Sequence, residues 1–459
     1  MKLNIPIFST ILFSLLLAKS ASGTVQAFGK KTNIIYTQTN SNDTIRGNEI
    51  LALHHNIDEP GQPLTVFGRF PTGGVGSSSP IGSQDSMIVH NDHLLAINTI
   101  SHDISVFDMH LDAGGALELV DIQPSQGLFP VGLAAHNDLV YVLNSWDQGS
   151  LVGYTMDPDN GKLTPIDNST RIVNAYPWNE PRFAINTEFG NPGLTAHEAP
   201  SQVGFSPDGN WLISVNKGSD FSPLHEGNML VYRVDKGTGL LSTEPVHNYT
   251  SSGNIRPFSF VWTKREGHDV MIRTEADGIS STSYRFESST GALIPITEHL
   301  SNGEFLGLCW NVLDEKTNVM WGTNAPNGTV SSYRVLPDGS LELQDSVAHN
   351  YGPLSFPFDV AVEGEFFYSV QAGSGSVAAF EINQVDGTIT LVDEIFSMNK
   401  GTPSFNDAGG LIGLIGGTAG GLIAMELPHE GDDDISVVQD VSKVVVHQNW
   451  GQRGLRGAN

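Results

Sequence analysis

Val203-Gly204-Phe205-Ser206-Pro207-Asp208-Gly209, running on into Trp211-Leu212-Ile213-Ser214-Val215, is the stretch from which the fold of this chain can be read. An apolar run ends at Phe205, Pro-Asp-Gly is turn chemistry, and a second apolar run follows at once. The segment therefore predicts two antiparallel strands joined by a tight turn. Met229 to Val234 continues as a third strand, and Gly239-Leu240-Leu241 opens a fourth.

The same grammar recurs in both directions from this unit. Second strands end at Thr39-Asn40, Ile97-Asn98, Leu143-Asn144, Val215-Asn216, Thr274-Glu275, Thr323-Asn324 and Val370-Gln371. Third strands follow, and glycine turns such as Gly115-Ala116-Leu117, Gly161-Lys162-Leu163, Gly291-Ala292-Leu293, Gly339-Ser340-Leu341 and Gly387-Thr388-Ile389 lead into fourth strands. A four-stranded repeat of about fifty residues is a propeller blade, because one such sheet cannot cover both of its faces alone. The sequence thus predicts an all-β, seven-bladed β-propeller over residues 24–427, with four antiparallel strands per blade. The first repeat lacks a first strand, since Ile34 to Asn40 is already a second one. Gly421 to Leu427 is expected to supply it, closing the N-terminal blade with a C-terminal strand and removing an exposed edge.

Composition agrees. The 459 residues include 50 Gly and 24 Pro, which punctuate short apolar runs, and helical periodicity is missing. Length alone would suggest two or three domains, but a closed ring can keep adding blades around one axis. The formal charge is −27, from 50 acidic and 23 basic residues. Such a surface repels phosphate backbones and anionic lipid, which excludes nucleic acid and polybasic membrane docking.

Met1-Lys2, the mostly apolar run Ile5 to Ala18 and the small residues Ala21-Ser22-Gly23 read as a signal peptide over residues 1–23, too short to anchor in a bilayer. The chain is accordingly expected to be secreted, to leave the membrane after cleavage, and to act as a monomer. Asn42, Asn168, Asn248 and Asn327 head Asn-x-Ser/Thr sequons beside predicted turns and are expected glycosylation sites. The single cysteine, Cys309, can form no disulfide within the chain and reads as a buried small hydrophobe. Residues 428–459 form an acidic, polar tail expected to be poorly ordered.

In an antiparallel meander the start of strand one and the end of strand two share one end of the sheet. Asn98, Asn144, Asn216, Glu275, Asn324 and Gln371 must therefore lie at the same channel mouth as the inter-blade residues Gln202, Arg256 and Glu304. The ring of amides could hold a sugar-like ligand, or Asn could simply suit a left-handed turn. Arg256, Lys217 and Arg273 are candidate anion binders or solvated loop charges. Glu275, or the pair His197 and Glu198, could serve as general acid or base. His225-Glu226 is a further such pair. Glu275 with ring amides would also offer calcium oxygen ligands, whereas no spacing supports zinc and no other cofactor is expected. An insertion, Asn174 to Ala199, starts from the same end and carries Trp178, Arg182, Phe183, His197 and Glu198, which could form a lid. Glu275 and Arg256 both sit at predicted turns, so replacing either is expected to touch turnover and leave folding alone.

Ala199-Pro200-Ser201-Gln202-Val203-Gly204-Phe205-Ser206-Pro207-Asp208-Gly209 with Trp211 to Lys217 resembles the lactonase-type seven-bladed propellers, which include 6-phosphogluconolactonases and 3-carboxymuconate cyclases. The likeness covers about Asn33 to Leu427. It implies a hydrolase or cycloisomerase that opens or forms lactone rings without a metal. Catalytic members carry a His just before the Ser-Pro-Asp strand, where this chain has Pro200-Ser201-Gln202. They also carry an Arg where this chain has Glu275. The resemblance thus implies a divergent secreted branch, its lactonase chemistry re-sited or lost. The leading expectation is hydrolysis of a carboxylated or sugar-derived lactone at the channel mouth. The alternative is a non-catalytic extracellular propeller that binds a glycan or protein.

Overall fold

A computed structural model of the chain describes residues 31–427 apart from 44, 78–80, 174–199, 219–225, 252–254, 304–306, 354 and 397–419. The expected signal peptide, the tail 428–459, the insertion with His197 and Glu198, and Glu304 lie outside the described residues.

Inner strands of this chain are apolar without alternation because both of their faces are covered. Leu139–Asn144 and Phe366–Gln371 are buried almost throughout. Outer strands such as Leu341–Asn350 show mixed exposure, as expected where one face meets solvent. Blade 4, the unit read first, runs Pro200–Phe205, Trp211–Gly218, Glu226–Arg233 and His247–Thr250. Its fourth strand starts later than expected: Leu241 makes only a bridge to Val234 before the strand begins at His247. Blades 2, 5, 6 and 7 follow the same order over Met87–Pro124, Pro257–Ser301, Asn311–Asn350 and Pro357–Phe396. In blade 3 the outer strand is split into Leu163–Pro165 and Arg171–Ile172, which pair with the same neighbour. Among the described residues the only helical element is the short turn Leu111–Ala113, and no helix is long and apolar enough to cross a membrane.

Blade 1 is completed as the sequence predicts. Gly420–Glu426 lies antiparallel against Thr32–Gln38, in register from Asn33 opposite Glu426 to Thr37 opposite Leu422. The innermost strands of all seven blades are then neighbours around a ring.

Blades are joined by shape. In blade 2 the turn before the fourth strand carries Gly115 at φ +80°, where a Cβ would come closer than 3.0 Å to Ile34 and Tyr36 of blade 1. Tyr36 in turn donates its hydroxyl to the Gly115 carbonyl at 2.6 Å. Gly291 of blade 5 sits in the same way on Trp211 of blade 4, whose indole donates to the Ser288 carbonyl at 2.8 Å. Only glycine meets both demands, a left-handed backbone and direct contact with the preceding sheet. The apolar core lies between blades in five clusters, with fully buried Tyr141, Tyr154, Tyr333 and Tyr368 among its largest members. Cys309 is buried in one of them, and burial pushes its thiol up to about 12.

Candidate functional site at the channel mouth

Four inner strands begin with a proline placed opposite the ring residue of the same blade: Pro130 with Asn144, Pro200 with Asn216, Pro257 with Glu275 and Pro357 with Gln371. Proline suits the first residue of a strand, where no ladder donor is needed. The register slips directly after each of the four, a bulge that frees backbone groups facing the channel. The ring and the inter-blade loops thus share one end of the propeller.

The ring side chains are turned inward to their own blades. All are buried, and those of Asn98, Asn144, Asn216, Glu275, Asn324 and Gln371 tie the turn between second and third strands. Asn98 donates to Asp103 and to Ser105 at 2.8 Å, and it accepts from Thr72 at 2.7 Å. Asn144 donates to Ser150, Asn216 to Asn228, Asn324 to Thr329 and Ser331, while Gln371 accepts from Ser376. Only Asn40 takes a left-handed backbone, with φ 47°, so the turn conformation does not explain the other ring amides. Their role is to satisfy buried donors and acceptors where the chain reverses.

Glu275 is the acidic version of this hub. It is fully buried, and its two oxygens accept from Arg273, Ser280, Thr282 at 2.7 Å and His299 Nδ1 at 2.7 Å. Burial favours the neutral acid, but Arg273 and the bonds from His299 and Ser280 outweigh it and hold the carboxyl below its ordinary value. Such a carboxylate is poorly placed to take a proton from water. Its surroundings of donors are also the opposite of the oxygen cage a calcium ion takes. The expectation that Glu275 could be changed without cost to folding fails for the same reason: a buried partner of Arg273 is part of the core of blade 5. Among the described residues no three His, Cys, Asp or Glu side chains are grouped to hold a metal.

The basic residues do converge. Lys217, Arg256 and Arg273 are each no more than 5% exposed, so none is a solvated loop charge. Arg256 Nε lies 2.9 Å from Asp277 Oδ2. Lys217 stacks its ammonium 5.0 Å from the centre of the Phe258 ring. Lys217 thus reaches the strand that follows Arg256, Arg256 holds Asp277, and Phe258 packs on Trp310, which places the three charges together where blades 4, 5 and 6 meet the mouth. Phe258, Trp310 and Phe358 stack in a row beside them. Asp277, two residues after Glu275 and partly exposed, was not singled out by the sequence.

One feature of the mouth escaped sequence reasoning altogether. The described parts of the loop from blade 1 to blade 2, residues 72–77 and 81–86, lie over Asn40 and Asn98 and in the channel respectively. Ser83 donates to the Val131 carbonyl of blade 3 at 2.6 Å. Gln84 brackets Asn311 of blade 6, accepting from its N–H at 3.1 Å and donating to its carbonyl at 3.2 Å. The Gln84 N–H donates to the Ser201 carbonyl of blade 4 at 2.8 Å, and Trp310 Nε1 to the Ser83 carbonyl at 2.8 Å. Inner strands from different sides of the ring hold the same few residues, so Ile81–Ser86 is a plug in the channel, and all six of its residues are buried. Lys217 donates to the Gly82 carbonyl and Gln202 to Asp85 at 2.7 Å. Gln202 also brackets Phe260 of blade 5 by its N–H and carbonyl. The signal in the sequence was the loop's run of small residues, Gly73-Gly74-Val75-Gly76-Ser77, needed because a Cβ at Gly74 or Gly76 would strike Asn98 or Asn40.

Of the expected glycosylation sites, Asn42, Asn168 and Asn248 are exposed and Asn327 is half-buried. Gly373–Gly375 is the turn between the second and third strands of blade 7.

Seven antiparallel sheets closed into a ring, with loops gathered at one channel mouth, define the chain as a seven-bladed β-propeller, and solved structures of similar fold include lactonase-type propellers. A periplasmic gluconolactonase of Pseudomonas aeruginosa superimposes with a TM-score of 0.60 at 15% identity, over 86% of this chain and 100% of that one. A 6-phosphogluconolactonase-like protein of Bacteroides fragilis gives 0.60 at 14% identity, over 82% and 97%. A hypothetical selenium-binding protein of Sulfolobus tokodaii gives 0.54 at 9%, over 88% and 96%. At these identities the likeness is one of fold. No family model matches the chain. An uncharacterised Lactococcus lactis subsp. cremoris protein is 29% identical over 94 residues, which span 20% of this chain and 26% of that protein.

Proposed function

We propose that the chain is a lactone hydrolase whose site is the mouth between blades 4, 5 and 6. The observation that carries this reading is the convergence of Lys217, Arg256 and Asp277 beside the channel in a chain whose net charge is −27. Buried cations are costly, and a protein this acidic keeps them where they meet negative charge. In lactone hydrolysis that charge develops on the carbonyl oxygen. Lys217 and Arg256 would stabilise it, and Asp277 would take a proton from the attacking water. The ring C–O bond then breaks, the ring oxygen gains a proton, and a hydroxy acid is released. The lactonase-type fold supports the assignment by analogy. Export through the segment 1–23 and glycans on the exposed sequons would place this chemistry outside the cell.

The test is proton release from a panel of sugar-derived and carboxylated lactones by purified full-length protein. Asp277→Asn and Arg256→Ala should each lower kcat/KM by at least ~10²-fold, the low end for losing a proton-transfer or charge-stabilising group. The plug favours a second reading, a non-catalytic binding propeller, because it fills the channel that a ligand would otherwise enter. Absence of turnover by the parent on every lactone would support that reading.

A further inference from the structure

Blades 7 and 1 leave an open groove of about 620 Å³ between them. It lies toward the end of the propeller opposite the mouth, beyond the pairing of Thr32 with Asn56. Asp58, Glu59 and Glu381 are among its ten lining residues, and no lysine or arginine is. Asp393 stands close by, accepting the Leu64 N–H at 2.7 Å. Lys31, where the chain enters blade 1, pairs with Glu426 at 3.3 Å. Ile57 and the exposed Leu391 add apolar surface beside the carboxylates. The groove suits a segment that carries both positive charge and apolar side chains.

Residues 441–459, outside the described part of the chain, have that character. They include Lys443, Arg453 and Arg456 and no acidic residue, in a chain of 50 acidic and 23 basic residues. Val444, Val445, Val446, Trp450 and Leu455 lie among these charges. The segment is also tethered near the groove. The Leu427 N–H, at the end of the closing strand, donates to the Thr32 carbonyl at 2.8 Å. The Ile57 N–H donates to the Lys31 carbonyl at 3.1 Å. Leu427 and Ile57 thus flank the same stretch of chain, about 10 Å apart, two strand spacings. A flexible linker the length of residues 428–440 spans about 20 Å, which is reach enough. Its five acidic residues, Glu430, Asp432, Asp433, Asp434 and Asp440, are repelled by an acidic groove, so the basic part is the one that fits.

We propose that residues 441–459 dock in this groove on their own propeller and so cover the junction between blades 7 and 1. The tether does much of the work. A linker of this length gives an effective concentration of about 1 mM, so a contact with a Kd of ~0.1 mM between separate molecules is occupied about nine times in ten within one chain. The other end of the chain enters at the same place, but the expected cleavage after residue 23 leaves Lys30 as its only further cation.

The experiment is disulfide trapping in the full-length protein. Cys309 is the single cysteine and is buried, so introduced thiols report alone. Gln452→Cys is combined with Leu391→Cys in the groove or with Val246→Cys, a similarly exposed position on blade 4. Under oxidised glutathione the Leu391 pair should close within the monomer at least ~tenfold faster than the Val246 pair. Glu59→Gln with Glu381→Gln, or ~1 M salt, should slow it at least ~threefold. Equal rates for the two pairs overturn the proposal, and so does a rate that neither charge removal nor salt changes. Disulfides that form only between chains assign the groove to the tail of a second copy and overturn docking within one chain. A second measurement uses a labelled peptide of residues 441–459. It should bind protein lacking those residues, with a Kd below ~1 mM by anisotropy, and bind the full-length protein at least ~tenfold more weakly. Equal binding to both, or none to the shortened protein at an unchanged melting temperature, overturns the proposal as well.

Discussion

Six of the seven blade junctions are built one way and the seventh another. At the six, a glycine turn rests directly on the second strand of the preceding blade: Gly161 on His93, Gly239 on Leu139, Gly339 on Val270 and Gly387 on Val319, besides Gly115 and Gly291. At the seventh, between blades 7 and 1, Gly61 has the same positive φ, +80°, but nothing within 4 Å of where a Cβ would stand. An open groove of about 620 Å³ lies there instead, lined by Ile57, Gly61, Gln62, Glu381 and Leu391 among others. Polar cross-links hold this seam. Asn33 donates to the Tyr368 hydroxyl at 2.8 Å, with His55 at the same distance on the other side, and Leu64 N–H reaches Asp393 at 2.7 Å. Asp359 accepts the backbone N–H of Leu422 on the closing strand at 3.2 Å. Junctions that repeat dock a glycine turn on the preceding sheet, and the one that must join distant parts of the chain lacks that docking and is held by side-chain bonds without it.

The harshest way to break this comparison is to remove the closing strand. Deleting residues 417–459 leaves blade 1 with three strands and blade 7 without its neighbour. The expected result is loss of cooperative unfolding and of soluble protein, read by thermal melts and yield. A truncated protein that melts like the parent would show that the polar seam does not depend on the strand.

A substitution inside a blade comes next. Glu275→Gln strands the buried Arg273 guanidinium and should cost about 3 to 5 kcal/mol in chemical denaturation, the usual penalty for removing one partner of a buried pair. The two kinds of junction separate at smaller cost. Gly115→Ala meets both a left-handed backbone and the packed Ile34, so about 2 to 3 kcal/mol should be lost. Gly61→Ala meets only the backbone term and should lose about 1 kcal/mol. Equal losses at the two sites would remove the distinction between docked and open turns.

A further effect is the pH dependence of the seam. Burial pushes Asp359 up to about 7 and Glu363 up to about 8, the latter helped by Glu426 and opposed by Lys31. Both groups hold protons more tightly folded than unfolded. Their contribution is therefore full below the unfolded values near pH 4, falls as pH rises, and is exhausted above pH 8. Asp359→Asn should remove about 2 to 3 kcal/mol of the fall in stability between pH 5 and 8, read by chemical denaturation at each pH. A decline as steep as the parent's would assign the pH dependence to other groups.

The contrast also explains what could be read from the sequence. Seven polar strand endings and six docked glycines recur at a fixed spacing, so blade number and the closing strand followed from periodicity. The convergence of Lys217, Arg256 and Gln202 followed from topology, which puts strand endings and inter-blade loops at one end. The character of Glu275 did not, although Arg273 two residues earlier on the same strand must face the same way. The plug carries no repeat and no apolar pattern. Its partners, such as Asn311 for Gln84, lie 227 residues away, beyond any local signal. Asp277 was hidden for another reason: nothing in a Glu-Ala-Asp-Gly turn distinguishes the acid that is buried from the one that faces the mouth.

The closing strand also dictates an order of events during synthesis. Thr32–Gln38 is among the first strands made, yet its partner Gly420–Glu426 is among the last. At a synthesis rate of about 5 to 20 residues per second, the first blade waits tens of seconds with an unpaired edge. Joining the ends over so long a span costs little more entropy than over half of it, since each doubling adds about 0.6 kcal/mol. The burden is kinetic. Until the chain is finished, its oldest sheet offers a free edge to any other nascent copy, so crowding of nascent chains should lower the yield of finished rings without changing their stability.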